Sequence, residues 1–147
     1  MTAIELLKQD HDEAMMMIER LERVEQGAQL RGSNLALFGR LKSALTMHTL
    51  VEEQILYHSL ANLEETKEMI KESYDGHRTM DELLVKMSAP SQDWRAVLGE
   101  LKAALQHHVR EEESELFPKA ERLLGGQRLQ VMGRQITNIK RGKAATA

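Results

Sequence analysis

The sequence predicts an all-α protein: an up-down-up-down four-helix bundle with a short C-terminal fifth helix and an approximate internal twofold. Composition is the first observation, because the chain is 41% apolar but only 3% aromatic and has two prolines. A core of Leu, Ile, Val, Ala and Met suits helices better than sheets. Helical periodicity between short breaks and an internal repeat are the other two observations. The 147 residues are one domain, with the bundle in residues 1–125 and the last helix and tail in residues 126–147.

The first two helices are indicated by apolar stripes and by glycine-containing breaks. The first is predicted over about residues 3–25, ending before Gly27, and its stripe comprises Ile4, Leu7, His11, Met15, Ile18 and Leu21. A break at residues 32–34 (Gly-Ser-Asn) can cap the second helix, which we expect to run to about residue 60.

The remaining helices follow similar signals. Asn62 and Glu65 resemble a capping box that opens a third helix ending near Met87. A turn at residues 89–91 separates it from a fourth helix over about residues 92–123, which the glycine pair at 125–126 ends. A basic fifth segment is predicted over about residues 127–140, packed across one end of the bundle, with a frayed tail at 141–147.

The repeat is the most informative feature of the chain. Residues 41–60 (LKSALTMHTLVEEQILYHSL) and residues 101–120 (LKAALQHHVREEESELFPKA) share a Leu-Lys-x-Ala-Leu start, a histidine, a glutamate four residues later and a Leu-aromatic pair. The histidines are His48 and His108, and the glutamates are Glu52 and Glu112. Residues four apart lie one turn above each other on the same helix face. Each copy therefore presents an imidazole and a carboxylate side by side.

Two further histidines, His11 and His77, lie one helix earlier in each half on apolar-flanked faces. In an antiparallel bundle all four faces meet at the axis, so four imidazoles and two carboxylates are expected in one volume. That set suits a pair of metals about 3.5–4 Å apart, with the glutamates bridging them. The chain has no cysteine, and imidazole with carboxylate favours iron, manganese or zinc.

Other polar residues near the repeat have weaker claims on the site. Asp81, four residues after His77, and Glu115, one turn beyond Glu112, are candidates for a further ligand or for a contact behind the ligands. Tyr57 and Tyr74 could be hydrogen-bonding or redox groups near a metal, but Tyr57 aligns with Phe117, which favours a ring that packs without using its hydroxyl. The other histidines and glutamates are predicted on solvated surfaces, although one glutamate could orient a ligating imidazole; they are His58, His107, Glu53, Glu111 and Glu113.

Charge and hydropathy exclude several function classes. The formal net charge is −3 and there is no long basic run, so nothing favours binding to nucleic acid or to an anionic membrane. Charged residues interrupt the first twenty positions, and no apolar run reaches membrane-spanning length. We therefore expect a cytoplasmic protein. A partner surface on the basic last segment is the weakest alternative, formed by Arg128, Arg134, Lys140, Arg141 and Lys143.

Roughly residues 1–125 resemble the hemerythrin HHE cation-binding family. The opening IELLKQDHDEAMMMIERLE resembles the first helix of that family, and HTLVEE at 48–53 and HVREEESELFP at 108–118 resemble its His-x-x-x-Glu motifs. His77 matches the isolated histidine of the third helix. The resemblance implies a four-helix bundle with a non-haem, oxo- or hydroxo-bridged di-iron centre, manganese or zinc being alternatives. The implied ligands are His11, His48, Glu52, His77, His108 and Glu112.

The sequence departs from the oxygen-carrying hemerythrins at one ligand. Those proteins have a His-x-x-x-His pair on the third helix, whereas His77 has Ser73 four residues before it and Asp81 four residues after it. The pattern is closer to hemerythrin-like proteins tied to iron-centre repair, to peroxide or nitric oxide handling, and to iron sensing. The resemblance thus implies a protein that binds or reacts with O2, H2O2 or NO in oxidative or nitrosative stress defence or repair. A non-catalytic oxygen or iron sensor or carrier is the alternative, and no catalytic residue is assigned.

Overall fold

The computed structural model describes residues 1–89 and 93–146, and within these ranges the ordered elements are helices. Helix α1 is Ala3–Glu22, and α2 is Gly32–Val51 continued by Glu52–Tyr57 and His58–Leu60. Helix α3 is Lys67–Met87, and α4 is Trp94–Glu111 continued by Glu112–Leu116 and Phe117–Leu124. Helix α5 is Gly126–Thr146. The all-α fold class is confirmed.

Local hydrogen bonds explain where several helices begin and end. Thr2 caps α1 in a capping box, because its hydroxyl accepts from the Glu5 amide and the Glu5 carboxylate accepts from the Thr2 amide. Asp93 caps α4 by accepting from the Arg95 amide. Gly125, with φ of 80°, makes the turn between α4 and α5. The predicted turn at 89–91 falls mostly outside the described residues.

The predicted capping box at Asn62 and Glu65 is wrong. Helix α3 starts later, at Lys67, and its N-cap is Thr66, whose side chain caps no amide of the helix. The buried Thr66 hydroxyl instead donates to the Leu60 carbonyl at 2.7 Å. This bond closes the turn between α2 and α3, and α3 begins directly after it.

The bundle packs around two apolar clusters, with the polar residues of the repeat between them. One cluster includes Ile18, Leu41, Met80 and Leu101 from the four bundle helices. The other lies at the opposite end, where α1 and α3 begin and α2 and α4 finish. Neighbouring helices therefore alternate in direction, as the sequence predicts.

Both repeat segments change helix type at the glutamate. Glu52–Tyr57 and Glu112–Leu116 are π-helical, while the residues on either side are α-helical. Single π-turns inside α-helices occur often at functional sites. Because they occur at matching positions of the two halves, they support the approximate internal twofold.

Helix α5 packs on the second apolar cluster through Leu129, Met132 and Ile136. It extends to Thr146, beyond the predicted end near residue 140, and includes most of the tail predicted to fray. Lys140 of this helix donates to the Asp10 carboxylate. In the described part of the chain, no helix combines the length and the apolar character needed to cross a membrane.

Candidate metal centre

The structure brings the six predicted ligands together between the two apolar clusters. Ligand atoms of five of them lie within 4.8 Å of one another; these five are His11, His48, Glu52, His108 and Glu112. His77 adjoins this group, with its Nε2 3.0 Å from Glu52 Oε1 and 3.3 Å from His108 Nε2. None of the six side chains is more than 4% exposed. Buried imidazoles and carboxylates in such number require partners.

The histidines are paired within each half. The rings of His11 and His48 have their centroids 4.8 Å apart, and so do the rings of His77 and His108. The rings of His11 and His108, from different halves, are 6.2 Å apart. Each half therefore contributes one pair of imidazoles.

The two glutamates lie between these pairs. Glu112 Oε1 is 3.0 Å from Nε2 of His11 and 3.0 Å from Nε2 of His108. Glu52 Oε1 is 3.1 Å from Nε2 of His48 and 3.0 Å from Nε2 of His77. Each carboxylate therefore contacts imidazoles of both halves, the placement that a bridging ligand requires.

Three of the four imidazoles are oriented by an outer carboxylate on Nδ1. Glu113 lies 2.8 Å from His11 Nδ1, and Glu53 lies 2.7 Å from His77 Nδ1. The third carboxylate, Asp10, lies 2.9 Å from Nδ1 of His48. A proton shared with a carboxylate on Nδ1 fixes the tautomer that leaves Nε2 free to bind a metal.

The prediction that Tyr57 does not use its hydroxyl is wrong. Its phenol donates to Glu112 Oε2 and to Glu52 Oε1, the latter at 3.2 Å, and lies 3.3 Å from Nε2 of His77. The ring stacks on His77 with centroids 5.3 Å apart, as the Phe117 ring stacks on His11 at 5.8 Å. The two aromatic residues thus pack alike, but the hydroxyl reaches both glutamates from one half only.

Burial and charge together set the protonation of the metal-free cluster. Burial alone would lower the pKa of His48, but Glu52 and Asp10 outweigh it and raise that pKa to about 10. Burial would also lower the pKa of His108, but Glu112 and Glu52 outweigh it and raise that pKa to about 10. Burial would raise the pKa of Glu52, but His48 and the other donors around it hold it well below 4.5. In the metal-free site His48 and His108 are thus imidazolium groups and Glu52 is a carboxylate.

Two atoms of the cluster have unused bonding capacity. Glu52 Oε2 is buried and has no hydrogen-bond partner among the described residues, and His48 Nε2 is paired with Glu52 Oε1 at 3.1 Å without the geometry of a hydrogen bond. Buried polar atoms are rarely left unpaired, and a metal ion is a common partner for nitrogen and carboxylate oxygen donors. The donor set and these two atoms therefore fit a bound metal.

Not all of the predicted candidates lie at the cluster. Asp81 and Glu115 are exposed, and neither contacts a cluster atom among the described residues, so their contribution to the site stays a prediction. His58 and His107 are exposed as predicted, and His107 pairs with Glu111 at 3.2 Å.

Sequence reasoning missed the outer role of Asp10 and its partner Lys140. Asp10 directly precedes His11, and its carboxylate points towards α2, where it contacts Nδ1 of His48. Lys140 lies in the segment to which only a partner surface was assigned, yet its ammonium contacts Asp10. The charge of Asp10 next to a ligand histidine was the available signal for both residues.

Comparison with known proteins gives one match. The family model described as Hemerythrin HHE cation binding domain covers residues 2–120, which is most of the chain. No curated protein and no solved structure matches the sequence.

Proposed function

The chain belongs to the hemerythrin HHE cation-binding domain family, and from this membership and the site geometry we propose that it holds a non-haem di-iron centre. The proposed ligands are His11, His48, Glu52, His77, His108 and Glu112. Manganese or zinc would find the same donors acceptable. The buried cluster of the described residues supports the proposal.

One observation carries the proposal of two ions rather than one. Each glutamate contacts an imidazole from both halves, and the imidazoles divide into two pairs. A single ion among the five donor atoms that lie within 4.8 Å of one another would leave His77 unused, whereas two ions about 3.5–4 Å apart use one pair of imidazoles each and share the carboxylates.

Iron ions bound here would supply redox chemistry and coordination positions for a small ligand, since six protein groups do not fill the coordination of two ions. The protein residues supply geometry. Outer carboxylates hold the imidazoles, and the Tyr57 hydroxyl donates to Glu112 and Glu52, restricting their rotation. The apolar clusters on both sides keep bulk water from the site.

We propose that the protein binds or reacts with O2, H2O2 or NO in the cytoplasm, in oxidative or nitrosative stress defence or in iron-centre repair. The residue four positions after His77 is Asp81, which is exposed, so a fifth histidine ligand from this turn is absent. This difference from the oxygen carriers favours reaction over reversible oxygen carriage. A non-catalytic oxygen or iron sensor or carrier is the second candidate, for which the same buried donor set would serve.

Metal analysis tests the site. We expect about two irons per chain in aerobically purified protein, with charge-transfer bands in the ultraviolet–visible spectrum. His107→Ala is the matched control, because His107 neighbours a ligand but is exposed. Absence of bound iron after anaerobic reconstitution would rule out the proposal.

Peroxide addition separates the two functions. Repeated loss of H2O2 in excess over protein indicates turnover, whereas a stable spectrum that reverses when the ligand is removed indicates a carrier or sensor.

A further inference from the structure

The internal twofold makes the outer residues of the two half-sites directly comparable. His11 and His77 are equivalent. Nδ1 of His11 contacts the carboxylate of Glu113, which follows Glu112, and Nδ1 of His77 contacts the carboxylate of Glu53, which follows Glu52. His48 and His108 are also equivalent. The halves match in these respects, so any difference between them must arise from other positions.

One such position is the residue directly before the first histidine of each half. In the first half it is Asp10, whose carboxylate lies 2.9 Å from His48 Nδ1. In the second half it is Gly76. A Cβ added to Gly76 would lie 3.6 Å from His108 Nδ1, so this position faces the same ring nitrogen that Asp10 occupies in the other half. No carboxylate of the described residues contacts His108 Nδ1.

We propose that the His77–His108 half-site holds its metal less tightly than the His11–His48 half-site, and that Gly76 sets the difference. This inference rests on the proposed di-iron function. A carboxylate on the outer nitrogen of a ligating imidazole raises its basicity and fixes its orientation, and loss of such a partner costs about 10–100-fold in metal affinity. His108 alone among the four histidines lacks that partner within the described residues.

Two other contacts bear on the comparison. Lys140 donates to Asp10 and withdraws part of its charge, but the carboxylate keeps its contact with His48. The Tyr57 hydroxyl lies 3.3 Å from His77 Nε2 and has no counterpart at Phe117. A phenol near the metal could compensate for weaker metal binding by His108. The iron-release measurement described below is therefore repeated in Tyr57→Phe protein, in which this difference between the halves is removed.

The experiment is iron release. Protein loaded anaerobically with two equivalents of Fe(II) is mixed with excess colorimetric chelator, and the absorbance of the iron–chelator complex is followed. We expect two phases of equal amplitude, with rates that differ about 10–100-fold. Gly76→Asp should slow the fast phase, Gly76→Ala should leave it unchanged, and Asp10→Ala should accelerate the slow phase.

The variants assign each phase to a half-site, and several outcomes would contradict the inference. Release in one phase from wild-type and Tyr57→Phe protein that each bind two irons would overturn the inference while leaving the di-iron proposal intact. An effect of Asp10→Ala on the fast phase would also overturn it. If Gly76→Asp does not fold, Asp10→Ala decides alone: merging of the two phases supports the inference, and unchanged release contradicts it. Absence of iron binding in all proteins would contradict the proposed function itself.

Discussion

Replacing Tyr57 with Phe tests whether the buried hydroxyl holds the bridging glutamates. Phe117 occupies the equivalent place in the other half and stacks on His11 without a hydroxyl, so the ring of the variant has a native precedent. The substitution should therefore remove the hydrogen bonds to Glu112 and Glu52 and leave the packing in place.

The magnitude follows from the type of bond. A hydrogen bond to a charged group contributes about 1.5–3 kcal/mol, and its loss here leaves buried carboxylate oxygens without that donor. For a chain of about this size, 1 kcal/mol changes Tm by about 2–4 °C. We expect metal-free Tyr57→Phe to unfold about 3–12 °C below metal-free wild type. Iron-loaded protein should show a smaller difference, because the metals then engage the same carboxylates.

Differential scanning calorimetry on metal-free and iron-loaded samples measures both differences. Tyr74→Phe is the control, since Tyr74 is 37% exposed, its ring packs edge-on against Tyr57 and its hydroxyl has no hydrogen bond to a cluster residue in the described part of the chain; a surface change of this kind is worth less than about 0.5 kcal/mol. Equal Tm values for metal-free Tyr57→Phe and wild type would refute the reasoning. A larger loss in the iron-loaded protein would mean that the phenol itself binds a metal.

The remaining predictions concern ligand content, the outer aspartate and pH. His108→Ala should lose at least one metal per chain by mass spectrometry, whereas His107→Ala should retain both; equal losses would show that the wrong histidine was assigned. Asp81→Ala should leave metal content and the absorption spectrum unchanged, because Asp81 is exposed, and a shifted band would place its carboxylate on a metal. In the metal-free protein the pKa of His48 is raised to about 10, so its stabilising effect is present below about pH 6.5 and is lost as pH rises towards 10. Thermal unfolding of metal-free protein from pH 6 to 10 should therefore show a falling Tm, and a constant Tm would contradict this.

The clustering of the six candidate ligands could be predicted from the sequence because helical geometry is local. The His-x-x-x-Glu spacing fixes two side chains on one face whatever the tertiary structure, and duplication of the segment identifies that face as buried. His11 and His77 followed from their apolar stripes. The fold class and the clustering of these residues are therefore encoded in periodicity alone, and the structure confirms both.

The Tyr57 hydroxyl could not be predicted because the helix does not keep its period. On an α-helix, five residues at about 100° each place Tyr57 about 140° around from Glu52. The π-helical turn from Glu52 to Tyr57 is wider and brings residues five apart towards the same face. Its counterpart at Glu112–Leu116 has the same form. Pro118, which has no amide to donate, follows the second π-helical turn, but no proline or glycine accompanies the first, so the local sequence does not signal the change of helix type at Glu52.

Two side-chain contacts were missed for a different reason. Lys140 reaches Asp10 across 130 positions of the chain, and the Thr66 hydroxyl reaches the Leu60 carbonyl across a turn of six residues. No helical periodicity or fixed sequence spacing predicts either contact. Such contacts depend on how whole helices pack, which single-sequence reasoning resolves only as an approximate arrangement.

The features that break the internal twofold are the ones most able to distinguish the two metals. A strictly symmetric pair of half-sites would hold both ions with equal affinity and equal reactivity. This chain departs from symmetry at Asp10 against Gly76 and at Tyr57 against Phe117, and Lys140 adds a contact to the first half from a helix that has no repeat counterpart. All of these residues lie behind or beside the ligands, which themselves match in kind. The six candidate ligands therefore supply the donors for the proposed metals, and the outer residues are where the two half-sites differ.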